Sequence, residues 1–189
     1  MDSHSNYFEY LKTRSKVAWI YRKYYLYPKI YKNLKGKILD VGCGIGDMLY
    51  CYNDIIGTDI SWPCVHYCKS KGLKAEIMEP DSLPFCPEEF DSCLLDNVIE
   101  HLEKPLTLLM EIKRVLKDGG IFIIGIPGVK GWNSDPDHKI FYTEKNLIDL
   151  MEKHGFKFSH SFGVPFIKSK LLSTISRRYC LYAIFIKKN

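Results

Sequence analysis

The stretch that decides the fold runs from Ile38 to Leu49 and reads Ile-Leu-Asp-Val-Gly-Cys-Gly-Ile-Gly-Asp-Met-Leu. Its first four residues have the length and the branched side chains of a buried parallel strand. Three glycines at alternate positions then let the backbone turn sharply and approach a ligand closely, because no Cβ stands in the way. A strand, a glycine turn and a helix start in this order predict a nucleotide-sized cleft at the carboxyl end of the strand. An ordinary strand-to-helix turn is the alternative that the glycines alone leave open.

Two acidic residues narrow the choice of ligand for this cleft. Asp40 precedes the glycines, and Asp59 closes an apolar run about one strand-helix-strand unit downstream. A carboxylate at the second position can accept hydrogen bonds from both hydroxyls of a ribose. The glycine spacing differs from the Gly-x-Gly-x-x-Gly of dinucleotide folds, and an acid at Asp40 suits a ligand that carries a positive group. Adenosine with a cation and no phosphate is S-adenosylmethionine.

With these residues the chain resembles the class I methyltransferases, and specifically the type 11 group of small S-adenosylmethionine-dependent enzymes. Two further motifs carry the resemblance: Glu79 followed four positions later by Leu-Pro-Phe, and Val-Ile-Glu-His-Leu from Val98 to Leu102. The resemblance covers roughly Lys37 to Phe162. It implies an α/β, Rossmann-like fold, in which a seven-stranded, mostly parallel sheet carries helices on both faces and ends in an antiparallel hairpin.

The resemblance also assigns a set of residues to the cofactor. Glu79 matches the carboxylate that accepts a hydrogen bond from the adenine amino group, while Asp81 is a nearby competitor for that role. Asp96 closes the predicted fourth strand, at the edge of the sheet where open α/β folds do their chemistry. The expected cofactor-binding residues are Asp40, Gly42, Cys43, Gly44, Gly46, Asp59, Ile60, Glu79 and Asp96.

Two histidines are the candidate catalytic residues. Methyl transfer from a sulfonium is an in-line displacement, and it needs a base when the acceptor is a hydroxyl or a protonated amine. Histidine is the best-matched side chain near neutral pH. His101 follows the fourth predicted strand, and His138 ends the loop that starts at Pro127. We therefore expect both side chains to face the cleft. A packing or helix-capping role is the alternative for His101, because Glu-His-Leu occurs across the group with many substrates.

One branch of the resemblance, the small-RNA 2'-O-methyltransferases, raises the question of a metal. In that branch a Glu-x-x-Glu-His segment and a later histidine hold a divalent ion on the ribose hydroxyls. Glu100, His101 and His138 match three of those ligands, but Asn97 replaces the first glutamate and removes an anionic oxygen. Hard divalent ions favour oxygen ligands. We therefore expect no metal at this site.

The N-terminal segment, residues 1–36, is predicted to be a helical cap on a core that spans residues 37–189, and the two form a single domain. The segment holds seven of the thirteen tyrosines, and its apolar residues recur at helical spacing up to an expected end near Pro28. Residues 1–37 also contain nine lysines and arginines against Asp2 and Glu9. In related enzymes such a segment covers the cleft and helps to choose the acceptor, and simple packing on the sheet is the alternative.

Composition disfavours several other classes of protein. The chain has no run of about 18 apolar residues, so no membrane span is expected, and its start lacks the layout of a signal peptide. The seven cysteines are scattered and odd in number, which favours reduced thiols and a cytoplasmic location over a disulfide framework. No cysteine and histidine spacing typical of structural zinc is found.

The expected function is methyl transfer from S-adenosylmethionine to a small-molecule acceptor, with a hydroxyl of a saccharide or another biosynthetic intermediate as the first choice. A chain this short has little extended surface for duplex RNA. Arg14, Lys16, Arg22 and Lys23 could hold a phosphate group of the acceptor. The alternatives that stay open are an RNA or protein methyltransferase, with RNA not favoured, and a catalytically silent cofactor-binding subunit.

Overall fold

Seven strands form one sheet in the computed structural model, which describes residues 3–13 and 15–188. The strands are β1 Ile38–Val41, β2 Ile55–Asp59, β3 Ala75–Ile77, β4 Phe90–Asp96, β5 Leu116–Pro127, β6 Phe156–Val164 and β7 Cys180–Lys187. Their order is β3-β2-β1-β4-β5-β7-β6. The first five pair in parallel, whereas β7 runs antiparallel to β5 and to the edge strand β6. The predicted seven-stranded, mostly parallel sheet with a hairpin at one edge is confirmed.

Short helices connect these strands and precede the first of them. They are α1 Ser3–Lys12, α2 Lys16–Tyr21, α3 Tyr27–Tyr31, α4 Asp47–Cys51, α5 Trp62–Ser70, α6 Pro105–Val115, α7 Val129–Trp132, α8 Glu144–Lys153 and α9 Lys170–Ile175. A π-helical turn, Arg22–Leu26, joins α2 to α3, and a 3₁₀ turn, Ile99–His101, follows β4.

The predicted helix end near Pro28 is wrong, because the helical path continues through Pro28 to Tyr31. Proline lacks an N–H, and in a regular helix its ring collides with the carbonyl of the preceding turn. Here a wider π-helical turn ends at Leu26, two residues before the proline, and such a turn shifts the hydrogen-bonding pattern. Pro28 therefore lies in the first turn of α3, where its missing donor costs little.

Helices cover the sheet on both faces, as predicted. Successive strand residues point to opposite faces, so Ile38 and Leu39 of β1 belong to different hydrophobic clusters. Ile38 packs with residues of α4, α5 and the N-terminal helices, which include Leu26, Ile30, Leu49 and Val65. Leu39 packs in the cluster of α6 and α8, which includes Leu109, Ile112, Leu147 and Met151. Burial on both faces explains why the central strands are almost continuously apolar.

The glycine turn between β1 and α4 uses backbone conformations that other residues rarely adopt. Gly42, Gly44 and Gly46 have φ angles of 77°, 54° and 77°. Because Gly46 is left-handed, α4 begins at Asp47. The turn is also crowded, since a Cβ at Gly46 would lie 2.8 Å from the sulfur of Cys68.

Gly46 and Gly72 offer a matched test of this crowding. Gly72 has a similar φ of +74°, but nothing lies within 4 Å of a Cβ built there. We expect Gly72→Ala to lower the free energy of unfolding by about 1–2 kcal/mol, the cost of left-handed backbone. Gly46→Ala should cost at least about 1 kcal/mol more, because Cys68 must move. Urea denaturation measures both, and equal losses would contradict the proposed crowding.

Candidate functional site

The carboxylate of Asp59 fixes the glycine turn against the end of β2. Its Oδ2 accepts a hydrogen bond from the Gly44 N–H and its Oδ1 accepts one from the Ser61 N–H, both at 2.8 Å. Asp59 is only 4% exposed. The Ser61 hydroxyl is also buried and has no hydrogen-bond partner among the described residues, whereas the neighbouring Ile60 is exposed. The residues predicted to hold the ribose and to border the adenine therefore lie together at the carboxyl end of β2.

Asp40 lies beneath the same turn, and its environment disfavours a bare negative charge. It is 5% exposed, and burial raises the pKa of its carboxyl to about 8, with further contributions from Asp96 and Asp59. Asp47 adds to the same effect from the start of α4. A ligand that carries positive charge would relieve this crowding of acids. The arrangement thus suits the cationic sulfonium and ammonium groups of S-adenosylmethionine.

Asp96 and Asn97 form the floor of the site at the end of β4. The Tyr182 hydroxyl and the Asn97 side-chain amide both donate hydrogen bonds to Asp96 Oδ1, at 2.8 and 2.7 Å. Asn97 has a φ of 54°, a left-handed conformation that asparagine tolerates better than most residues. Its side-chain oxygen accepts a hydrogen bond from the thiol of Cys180. These contacts occupy the Asn97 side chain within the floor of the site.

Glu79 and Asp81 take different positions in the loop after β3. The Met78 N–H donates to the Asp59 carbonyl at 3.1 Å, which brings the exposed Glu79 next to the end of β2. Asp81 instead lines a shallow surface pocket with α6 residues such as Leu106 and Glu111. This geometry favours Glu79 over Asp81 as the candidate adenine contact.

The two candidate catalytic histidines meet at the other end of the site. The rings of His101 and His138 lie 4.7 Å apart between centroids. The N–H groups of Lys139 and Ile140 both donate to the Glu100 carbonyl, at 2.7 and 3.1 Å, and so tie the loop after β5 to the turn after β4. His138 Nδ1 lies 2.7 Å from the Trp132 carbonyl, a contact that favours a proton on Nδ1. Its Nε2 is then left as the basic nitrogen.

Glu100 is the buried carboxylate of this cluster. It is 1% exposed, and neither carboxylate oxygen has a hydrogen-bond partner among the described residues. Its Oε1 lies 4.0 Å from His138 Nε2, and burial raises its pKa to about 8. Burial also lowers the pKa of His101, and His138 adds to that effect. A buried polar group without partners is costly, so this arrangement indicates a place where a ligand or a proton is received.

The same three side chains can be tested as metal ligands. One ligand atom from each of Glu100, His101 and His138 lies within 4.8 Å of the others. Two imidazoles and a carboxylate are donors that many divalent ions accept. The contact of His138 with the Trp132 carbonyl is also typical of histidine ligands. The donor set therefore fits a divalent ion, although Asn97, bonded to Asp96 and Cys180, does not add a fourth ligand.

The N-terminal helices both pack on the sheet and reach the glycine turn. Leu26, Tyr27 and Ile30 lie in a core cluster, and Leu11 is buried where a Cβ at Gly44 would come within 3.0 Å of its Cδ1. Of the four cations proposed for a phosphate, the three that the structure describes have different contacts. Arg22 pairs with Asp47 at 3.4 Å, the Lys23 ammonium lies over the Trp19 ring, and Lys16 is exposed. Arg14 lies outside the described residues.

Sequence reasoning missed two parts of this site. The position of Arg22 beside the acidic residues has no local motif, and its basic neighbours in the sequence point elsewhere. The Trp132 carbonyl that orients His138 is a backbone group, so no residue type could have signalled it. The sequence offered one clue, because Arg22 is a charged residue within a tyrosine-rich amphipathic stretch.

The pKa of Asp40 leads to a prediction about cofactor binding. At pH 7 a carboxyl with a pKa of about 8 is mostly protonated, and a cationic ligand favours the ionised form, so binding of S-adenosylmethionine should release protons. Calorimetric titrations in two buffers of different ionisation enthalpy measure this release. Asp40→Asn should release fewer protons than the wild type, whereas equal release by the two proteins would contradict the assignment of Asp40.

Several known proteins are similar to this chain in sequence or in fold. The family described as a methyltransferase domain matches residues 39–124. An uncharacterised protein of Methanocaldococcus jannaschii is 35% identical over 134 residues, which is 65% of this chain and 65% of that protein. A tRNA (carboxymethyluridine(34)-5-O)-methyltransferase of Xenopus tropicalis is 32% identical over 111 residues, 56% of this chain and 17% of that protein. This chain therefore spans less than two thirds of the length of either relative.

A solved structure is similar over its whole length. A SAM-dependent methyltransferase of Thermotoga maritima superposes with a TM-score of 0.79 at 21% identity and covers 100% of both chains, which supports the fold. In the part of the chain that the structure describes, no helix has the length and the apolar character of a membrane span. The glycine turn, the sheet order and the family match over residues 39–124 together support a class I S-adenosylmethionine-dependent methyltransferase of the type 11 group, with S-adenosylmethionine as the cofactor.

Proposed function

We propose that this protein transfers the methyl group of S-adenosylmethionine to a hydroxyl of a small-molecule acceptor, with the acceptor held beside His101 and His138. The observation that carries the proposal is the position of His138. Its Nδ1 contacts the Trp132 carbonyl at 2.7 Å, and its Nε2 lies 4.0 Å from a buried carboxylate at the end of β4. A basic nitrogen held at the carboxyl edge of a methyltransferase sheet is suited to take a proton from the acceptor.

The reaction needs one bond to form and one to break at carbon. The acceptor oxygen attacks the methyl carbon in line with the carbon–sulfur bond, S-adenosylhomocysteine leaves, and the hydroxyl proton passes to His138 Nε2. Glu100 Oε1 lies 4.0 Å from this nitrogen, and an imidazolium there would favour the ionised form of the Glu100 carboxyl. Much of the rate would come from positioning, since the displacement itself needs no covalent help from the protein.

The segments near the site are compatible with a small acceptor. Among the described residues, the N-terminal helices, the loop around α7 and the connection through α9 lie outside the strands of the sheet and could form the walls of an acceptor site. The exposed Tyr24 and the stacked pair Tyr21 and Tyr25 offer aromatic faces that suit a sugar ring. Arg22 and Lys23 contact different partners, so they do not form a common phosphate site. We therefore propose an acceptor with a hydroxyl group and do not propose that it carries a phosphate.

An RNA acceptor with metal assistance is the second candidate. The likeness to tRNA methyltransferases favours RNA, and the convergence of Glu100, His101 and His138 within 4.8 Å favours a metal. Those three residues would hold the ion, and a divalent ion bound to an acceptor hydroxyl lowers the pKa of that hydroxyl. His138 would then be a ligand and not the base.

Replacement of His138 tests the proposed base. We expect His138→Ala to lower the formation of S-adenosylhomocysteine by about a hundredfold or more, because the proton acceptor is lost. Affinity for S-adenosylhomocysteine should stay within about twofold, since no contact of His138 joins the glycine turn. His154→Ala is the matched control: its Nδ1 makes the same kind of contact, 2.7 Å from the Leu150 carbonyl, on a helix away from the cluster. Normal turnover by His138→Ala would overturn the assignment.

The acceptor class is tested with the same assay. Purified protein and labelled S-adenosylmethionine are incubated with a cell extract that has been separated into small-molecule, RNA and protein fractions. The proposal predicts label in the small-molecule fraction and turnover that survives EDTA. Label in RNA, with activity lost to EDTA and restored by a divalent ion, would establish the second candidate instead. Absence of transfer to any fraction would favour a catalytically silent subunit.

A further inference from the structure

Arg22 is a cation of the N-terminal helices that reaches the acidic end of the cleft. It lies at the start of the π-helical turn, and its Nη1 is 3.4 Å from Oδ2 of Asp47, the first residue after the glycine turn. Burial disfavours its charge, but attraction from Tyr27, Asp96 and Asp47 outweighs burial and holds the pKa of Arg22 above its ordinary range. Arg22 is therefore a fixed positive charge beside a group of acids.

The charges of the cofactor do not all match those acids. Its amino-acid end carries a sulfonium and an ammonium, which Asp40 and its acidic neighbours suit, and also a carboxylate, which the same acids repel. Burial of a carboxylate without a cation is costly. Among the described residues, Arg22 is the guanidinium whose interactions include both Asp96 and Asp47. Arg22 thus supplies a positive charge for the cofactor carboxylate, which the acidic residues alone would repel.

The surroundings of Arg22 leave room for such a group. A cavity of about 440 Å³ is lined by residues of the N-terminal helices and of the glycine turn, among them Arg22, Asp47, Leu11 and Ile45. Lys12 and Lys16 also line this cavity, but both are exposed, and Lys12 pairs with Glu9. A guanidinium has five N–H donors in a planar fork that matches a carboxylate. Its contact with Asp47 is longer than a strong charge-assisted bond.

We propose that Arg22 binds the carboxylate of the methionine end of S-adenosylmethionine. The N-terminal helices would then hold one end of the cofactor, while Asp59 and Glu79 face the other end. Binding would exchange the long contact between Arg22 and Asp47 for a contact with the ligand. The inference concerns the cofactor alone, so it goes beyond the proposed function and does not depend on the identity of the acceptor.

The test compares two ligands that differ only in the carboxylate. S-adenosylhomocysteine and its decarboxylated analogue, which keeps the amine, are titrated into wild type and Arg22→Met by calorimetry. The wild type should prefer S-adenosylhomocysteine by about tenfold or more, as expected for a charged hydrogen bond. In Arg22→Met the two ligands should bind within about twofold of each other.

Lys23→Met is the matched control, because Lys23 is the next residue on the same helical stretch and its ammonium lies 4.7 Å from the Trp19 ring centroid. This variant should keep the full preference for the carboxylate. If Arg22→Met still preferred S-adenosylhomocysteine over the decarboxylated analogue, the proposal would be overturned. An equal loss of affinity for both ligands would also overturn it, because Arg22 would then act only by pairing the helix with Asp47. Failure of the wild type to bind either ligand would overturn the cofactor assignment as well.

Discussion

A single buried carboxylate holds the cofactor cleft in shape. Asp59 accepts hydrogen bonds from the N–H groups of Gly44 and Ser61, and thereby joins the glycine turn, the end of β2 and the start of α5. The turn fixes left-handed backbone at three glycines, and because glycine loses more conformational freedom on folding than any other residue, contacts must offset this entropic cost. Because those contacts join groups of the protein itself, the turn needs little further ordering to receive the cofactor.

The acceptor end of the site is built by the same means. The Glu100 carbonyl receives two N–H groups from the loop after β5, which brings His138 against Glu100 and His101. Hydrogen bonds from backbone N–H groups thus fix both ends of the cleft, and the side chains with proposed chemical roles lie on the segments that these bonds join. Between the two ends, Asp96 and Asn97 are bonded to each other and to β7, so the floor is rigid.

The parts of this structure that the sequence predicts are those set by local rules. The apolar runs locate β1, β2 and β4, and three alternate glycines locate the turn, because both patterns depend on neighbours in the chain. The order of the sheet came from resemblance to a family. The helix end near Pro28 was predicted wrongly, because no residue pattern marks the π-helical turn that precedes the proline. The meeting of Glu100 with His138, and the approach of Arg22 to Asp47, are tertiary contacts between residues far apart in the chain.

The central claim is that Asp59 both shapes the turn and binds the ribose, and one titration tests it most directly. Calorimetry of S-adenosylhomocysteine with the wild type should give micromolar affinity, and NAD should give no binding. In Asp59→Asn the affinity should fall by about tenfold or more, because one carbonyl oxygen cannot replace a carboxylate toward Gly44, Ser61 and a ribose. Undiminished affinity in Asp59→Asn, or binding of NAD to the wild type, would contradict the account.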